Sequence, residues 1–343
     1  MSQDQKNTYN FIGAISCIEP LTVSLKDVDG LPRNGGKEAL AYFPASSIRG
    51  ALRHNAHAVV QALAHHQEDG KTVFDLADHF MLAQGVDIAE KATVFKDGEV
   101  DAGKEIREAN PMLSLFGRWG MGGKVGMGNA LSSSEQDIGM FGGGTRGVMF
   151  ERNPDLIEFL DDNEQQRLTN LLEEQSIASI DIQAIKADQA GIKRKLKNAT
   201  EEEKKDLFAK LAQLDEAIKK RKEEKSEAKE SIRRPIDRYE AFNAGTKLTH
   251  RMTLKGVTDI ELGLFIASVL QFARNPVLGG HQGHNCGLVS ASWEVRCWPK
   301  EGFKTEVIGK VGFDDDGFVV EGELLENAYN AWKQATGLDF KRF

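Results

Sequence analysis

Residues 246–255 read TKLTHRMTLK, residues 259–273 read DIELGLFIASVLQFA, and residues 288–298 read LVSASWEVRCW. The first stretch alternates apolar and polar side chains, the period-2 pattern of a half-buried strand. The second is apolar almost throughout and long enough for a buried helix, with Asp259 as the expected cap. The third alternates again. Strand, helix and strand in succession form one half of a split β-α-β sheet. Between helix and last strand stands a glycine loop, LGGHQGHNCGLV, at 278–289.

Earlier in the chain the same unit recurs. TYNFIGAISCI at 8–18 reads as a strand, and AYFPASSIRGALRHNAHAVVQALAHH at 41–66 as a helix opened by Pro44, Ser46 and Ser47. Its apolar stripe is Ile48, Leu52, Val59 and Leu63. Residues 70–110 are poorly periodic and read as an inserted finger. Residues 111–150 are glycine-dense: a strand through GKVGMGNAL and a loop around GMFGGGTRG. Near the end, VIGKVGFDDDGFVV predicts a hairpin turning at its Asp-Gly pair. A last amphipathic helix through Leu325, Tyr329 and Trp332 is expected to stop at Gly337. The expected fold is α+β, a ferredoxin-like sheet divided into 1–162 and 232–343.

The interval 163–231 differs in kind. It is nearly free of Gly and Pro, and Leu171, Ala178, Ile185 and Ile192 recur every seven residues, with Ile182 and Leu196 on the adjoining row. Thr200 and Glu203 form a capping box after a break, and Leu207, Leu211, Leu214 and Ile218 repeat at four, three, four. This is a helical hairpin packed through a narrow seam. Gln175 and Gln189 fall on that seam.

The chain of 343 residues carries a net charge of −8, which argues against indiscriminate wrapping of nucleic acid but not against a local basic groove. No apolar run approaches the roughly 18 residues of a membrane helix, and the N-terminus lacks a signal-peptide pattern, so no membrane partner is expected. Cys17, Cys286 and Cys297 are too few for a disulfide framework, and a cytoplasmic setting is expected.

Several stretches carry candidate chemistry. His281, His284 and Cys286 are possible zinc ligands, but the spacing lacks a second pair, so no metal is expected there. The loop glycines allow close approach of main-chain amides to phosphate; a glycine loop with surface histidines is the plain alternative. In PASSIRGALRH, Ser46 and Ser47 precede a helix start, and Arg49 and Arg53 lie one turn apart. They read either as an anion site or as two solvated arginines. Gly142, Gly144 and Gly147 spell a literal G-x-G-x-x-G without the strand and helix it needs, so a dinucleotide site is excluded, as is a P-loop. Arg118, Lys124 and Arg146 instead suggest a lip facing a polyanion, with Trp119 and Phe141 able to stack on bases. Asp27 and Asp29 read as turn residues, a general base or a divalent-ion ligand.

Five of these pieces carry a resemblance. FPASSIRGALR (43–53), MLSLFG (112–117), YEAFNAGTKLTHRMTL (239–254), ELGLFIASVLQFA (261–273) and LGGHQGHNCGLV (278–289) resemble, in order, segments of the RAMP superfamily of CRISPR-associated proteins. The set is most similar to the backbone subunit of class 1 effector complexes, the type IV version first and the type III version next. Ala45 stands where the family has Gly, and HQGHNCG lacks the family's Arg or Lys. The resemblance implies an RRM/ferredoxin-like palm with finger and thumb insertions, whose copies stack along a guide RNA and kink it for base pairing. It implies as partners the guide RNA, a target nucleic acid (DNA in the type IV case), further copies of the chain, other effector subunits and a helicase. RNA contacts are expected from Ser46, Ser47, Arg49, Arg53, Arg118, Lys124, Arg146, Gly280, His281, Gln282 and His284, with no cofactor and no catalysis. VDGLP (28–32) resembles the segment in which type III relatives carry a catalytic acid, so the alternative is a metal-dependent endoribonuclease using Asp29.

Overall fold

A computed structural model describes residues 6–23, 30–35, 39–67, 73–91, 100–142, 155, 158, 160–196, 201–223, 238–298 and 303–343, to which the following statements refer. The chain divides into two compact units, Met1–Phe141 with Tyr239–Phe343, and Gly142–Arg238.

The first unit is built on β1 (Asn7–Cys17), whose Tyr9, Phe11, Ile15 and Cys17 are buried on one face. β1 pairs antiparallel with β7 (Lys247–Val257) on one side and β8 (Val289–Trp298) on the other. Beyond β7 lie β3 (Val125–Met127) and β4 (Ala130–Leu131), and β4 pairs with β2 (Tyr42–Phe43). Beyond β8 come β9 (Glu306–Asp314) and β10 (Gly317–Glu321). The edges are therefore β10 and β2. Counting strands by their place in the two strand-helix-strand halves, the spatial order is 4-1-3-2, with α1 (Ala45–Gln67) and α7 (Asp259–Ala273) as the two crossover helices. This is the ferredoxin-like palm, in an α+β fold.

Two periodicities explain these elements. In β7, Leu248, His250, Met252 and Leu254 are buried while Lys247, Thr249, Arg251 and Lys255 are exposed, as strand alternation requires. In α7, Leu262, Gly263, Leu264, Phe265, Ile266 and Val269 are all buried, because the helix lies between the sheet side and α8 (Glu323–Lys333). At Gly263 an added Cβ would lie 2.0 Å from the Ala328 carbonyl oxygen, so glycine sets how closely α7 and α8 approach. The remaining helices of this unit are α2 (Leu76–Gln84), α3 (Val100–Ala109) and α4 (Pro111–Phe116).

Local details depart from the sequence reading. Thr258, not Asp259, caps α7: its hydroxyl accepts from Glu261 N while the Glu261 carboxylate accepts from Thr258 N. The β9–β10 turn is Asp315–Asp316, one residue earlier than expected, because Asp314 pairs with Gly317. The last helix ends at Lys333. In the expected finger region, α2 and α3 contribute Met81, Leu82 and Ile106 to the main core.

In the second unit, α5 (Asp162–Leu196) and α6 (Glu201–Glu223) form the helical hairpin. Leu171, Ile182, Ile185, Ile192 and Leu196 are half-buried along the seam. Gln189 is buried there, and its amide donates to Asp215 across the seam at 2.7 Å. Arg221 donates to Asp181 at 2.9 Å, a second cross-seam polar contact. The side chains of Gln175 and Ala178, and the whole of Thr200, lie outside what is described. No described helix is long and apolar enough to cross a membrane.

Candidate nucleic-acid interface

The two helix-start arginines do not share an open face. α2 and α4 both end against α1, and last-turn carbonyls of both accept from its arginines. Arg53 is 9% exposed; its guanidinium donates to Leu82 O at 2.8 Å, Met81 O at 3.0 Å and Phe116 O at 3.3 Å. Burial, then the neighbouring Arg49, lowers its pKa to about 10. Arg49 is half-buried and donates to the same Phe116 carbonyl at 2.6 Å. Both cations serve helix C-terminal ends, where the dipole favours positive charge. At the start of α1, Ser46 is exposed, Ser47 is half-buried and the Ala45 amide is taken by Asn129 Oδ1 at 2.8 Å.

The expected basic lip is also reassigned. Lys124 Nζ sits 2.6 and 2.7 Å from the two Glu261 oxygens, in an ion pair whose side chains are 16% and 3% exposed. A buried carboxylate at a helix start needs a cation, and Lys124 supplies it. Arg118 is half-buried and donates to Trp119 O, while Trp119 is 89% exposed. Arg146 and Asp29 lie outside the described residues.

The glycine loop is tied to the palm by its own amides. Gly280 N donates to Thr22 O at 3.0 Å, Leu278 N to Gly287 O at 2.9 Å and Gly287 N to Pro20 O at 2.9 Å. Gly279 has φ +77°, and a Cβ there would lie 1.9 Å from Thr22 O. Its lack of a side chain thus lets the loop meet its own chain, where the sequence reading had it meeting phosphate. Next to the loop, β6 (Arg238–Phe242) pairs with β5 (Ile138–Gly142). The Glu240 carboxylate accepts from Leu31 N at 3.0 Å and from Arg33 at 3.0 and 3.2 Å, which holds its pKa below the usual carboxylate range. Thr22 Oγ1 donates to Glu240 O at 2.6 Å. Segments on both sides of residues 24–29, where Asp29 stands, are therefore pinned to β6.

Tyr239 on β6 lies face to face with His281, ring centroids 4.0 Å apart and planes at 7°. Phe141 on β5 lies near-parallel to Tyr239, ring centroids 6.3 Å apart and planes at 23°. The Tyr239 hydroxyl lies 3.3 Å from Cys286 Sγ, and burial together with that contact pushes the phenol up to about 12. His281, Gln282 and His284 are exposed and Cys286 is buried. Among the described residues no group of three or more His, Cys, Asp or Glu could hold a metal ion.

One basic surface among the described residues was missed by the sequence reading. It is the sheet face opposite α1 and α7. Register rows place Lys247, Arg251 and Lys255 of β7 on this face, with Thr249 and Thr253 between them. The row through Arg251 continues to Ile12, Glu294 and Lys310, and Thr8 pairs with Trp298 further along β1. Arg296 joins the same face, where its Nε donates to Glu294 at 2.6 Å. Ile12 is 39% and Trp298 44% exposed. The signal was legible in TKLTHRMTLK, whose every second residue is a base or a threonine.

The chain is similar to a chain of a Type IV-B CRISPR Complex. The two are 13% identical with a TM-score of 0.40, over 87% of this chain and 93% of that one. No protein-family model matches the chain, and no curated protein sequence matches it.

Proposed function

We propose that this chain is a subunit of a CRISPR ribonucleoprotein of the type IV kind, the backbone subunit that holds guide RNA without reading its sequence and multimerises along it. The observation that carries this reading is the exposed row Lys247, Arg251 and Lys255 on a central strand of the palm. Phosphates are held by such cations while base pairing reads the sequence. The ordered family-like segments support the same reading. Exposed Ser46 and the Gly280–His284 loop then lie along the RNA path, and Arg49, Arg53 and Lys124 hold the palm together. The partners are the guide RNA, a DNA target, further copies of the chain, other effector subunits and a helicase.

The test is the purified triple variant Lys247→Glu, Arg251→Glu, Lys255→Glu. These side chains are exposed, and Arg251 gives up one hydrogen bond to Asn10 Oδ1 at 3.2 Å, so the melting temperature falls only slightly. The 260/280 nm absorbance ratio falls and the salt dependence of RNA binding becomes shallower, by about 0.7 in log-log slope per lost phosphate contact. RNA retention equal to wild type overturns the reading. In this role the subunit does not cut: assembled complex leaves complementary RNA intact in magnesium. Regular cleavage abolished by Asp29→Ala would move the assignment to an endoribonuclease.

A further inference from the structure

The ring ladder Phe141–Tyr239–His281 has a mortared inner end and an open outer one. Tyr239 is tied through its hydroxyl to Cys286, with Phe141 near-parallel to it at 6.3 Å. His281 covers a face of Tyr239 at stacking distance. Among the described residues the nearest further ring is His284, 6.1 Å away and tilted by 42°, beside His281 and not stacked upon it. His281 is exposed.

The imidazole is held in this position against backbone preference. His281 has φ 56° and Asn285 φ 54°; Glu90 is the one other described non-glycine residue with positive φ. Such a conformation persists only where its surroundings enforce it. Here the enforcing bonds are those from the loop base to Thr22 and Pro20. An aromatic plane presented rigidly to solvent, backed by the Tyr239 ring, is a stacking platform whose last layer comes from a ligand.

We infer that the outer face of His281 takes an unpaired nucleobase of the bound strand. This rests on the RNA-holding reading above and names where one base goes. Gln282, His284 and Asn285 surround the ring with exposed hydrogen-bonding groups, which suit the polar edge of a base better than an apolar side chain. Every base has a π face, so the platform is indifferent to sequence. A base inside a duplex has both faces covered by its neighbours, so the base taken is splayed out of the stack or at a strand end.

The probe is a single-stranded RNA of mixed sequence carrying 4-thiouridine at one defined position per oligonucleotide, cross-linked to the full chain and mapped by peptide mass spectrometry. The decisive variant is His281→Asn, since Asn tolerates left-handed backbone and removes only the ring. The wild type cross-links within residues 278–287; His281→Asn loses that cross-link and binds RNA about tenfold more weakly. If His281→Asn keeps the cross-link and the affinity while the Lys247, Arg251, Lys255 triple variant loses RNA, the base platform is overturned and the RNA-holding reading stands. If the wild type binds no RNA at all, both fall.

Discussion

Arg53 shows how far a single residue's role depends on chain remote from it. The sequence displays an arginine on a helix, one turn after another arginine, and nothing local distinguishes a phosphate ligand from a structural strut. The distinction comes from α2 and α4, whose carbonyl ends converge on the guanidinium. Arg53→Met keeps the stem but strips the guanidinium from Leu82 O, while Met81 O keeps Gly85 N and Phe116 O keeps Arg49, so the chain loses about 2–3 kcal/mol of stability. The thermal midpoint falls by about 5–10 °C, read by differential scanning fluorimetry. His250 gives a second residue-scale expectation. Its Nδ1 accepts from Trp293 Nε1 at 3.1 Å and its Nε2 faces Gly128 O at 3.1 Å, a pairing that requires the neutral ring. Burial lowers its pKa from 6.5 to about 4. The native state thus resists a proton that the unfolded state accepts below pH 6.5. The stability it contributes is fully present above that pH and is lost as pH falls toward 4, by about 3 kcal/mol in all. Urea midpoints at pH 7.5 and 4.5 check this: His250→Gln flattens the difference between them.

At the scale of elements, period and composition carried most of the information. β1, β7, β8, α1, α7 and the hairpin of α5 and α6 follow from alternation or heptads that survive in the folded chain, because one face of each is buried. α2 and α3 were illegible: each is short, and its burial is supplied by α1 and α4 rather than by a periodic stripe of its own. The α7 cap was misplaced by one residue because Thr and Asp are both good caps and stand side at side at 258 and 259. Two glycine substitutions separate helix propensity from packing. Gly263→Ala puts a methyl into the Ala328 carbonyl and forces α7 from α8, a loss of about 1–3 kcal/mol. Gly191→Ala, within α5 and with nothing within 4 Å of the new Cβ, stabilises the hairpin by about 1 kcal/mol. Opposite shifts in thermal midpoint are the expected readout.

For the molecule as a whole, the second strand-helix-strand half was readable as one run from β7 to β8, whereas the first is spread from β1 to β4 by the helices α2, α3 and α4 between them. The interface was less so. Alternating bases in β7 become a basic surface only once β1, β8 and β9 lie beside them in register. The chain leaves the palm at β5 and returns at β6, which pair with each other. Replacing 142–238 by a short Gly/Ser linker therefore leaves the palm folded. Its thermal transition remains cooperative in calorimetry, and the near-ultraviolet signal of Trp293 and Trp332 is retained.

The margins of the eight-stranded sheet are unequal. On one flank β2 is two residues long, too brief a run of unpaired amides and carbonyls to template a foreign strand. On the other, β10 offers five residues, with Glu321 at its end as the charge that discourages a newcomer. Any accretion of chains through main-chain pairing at these margins is consequently one-sided, and it halts after a single added copy wherever that copy presents β2 outward.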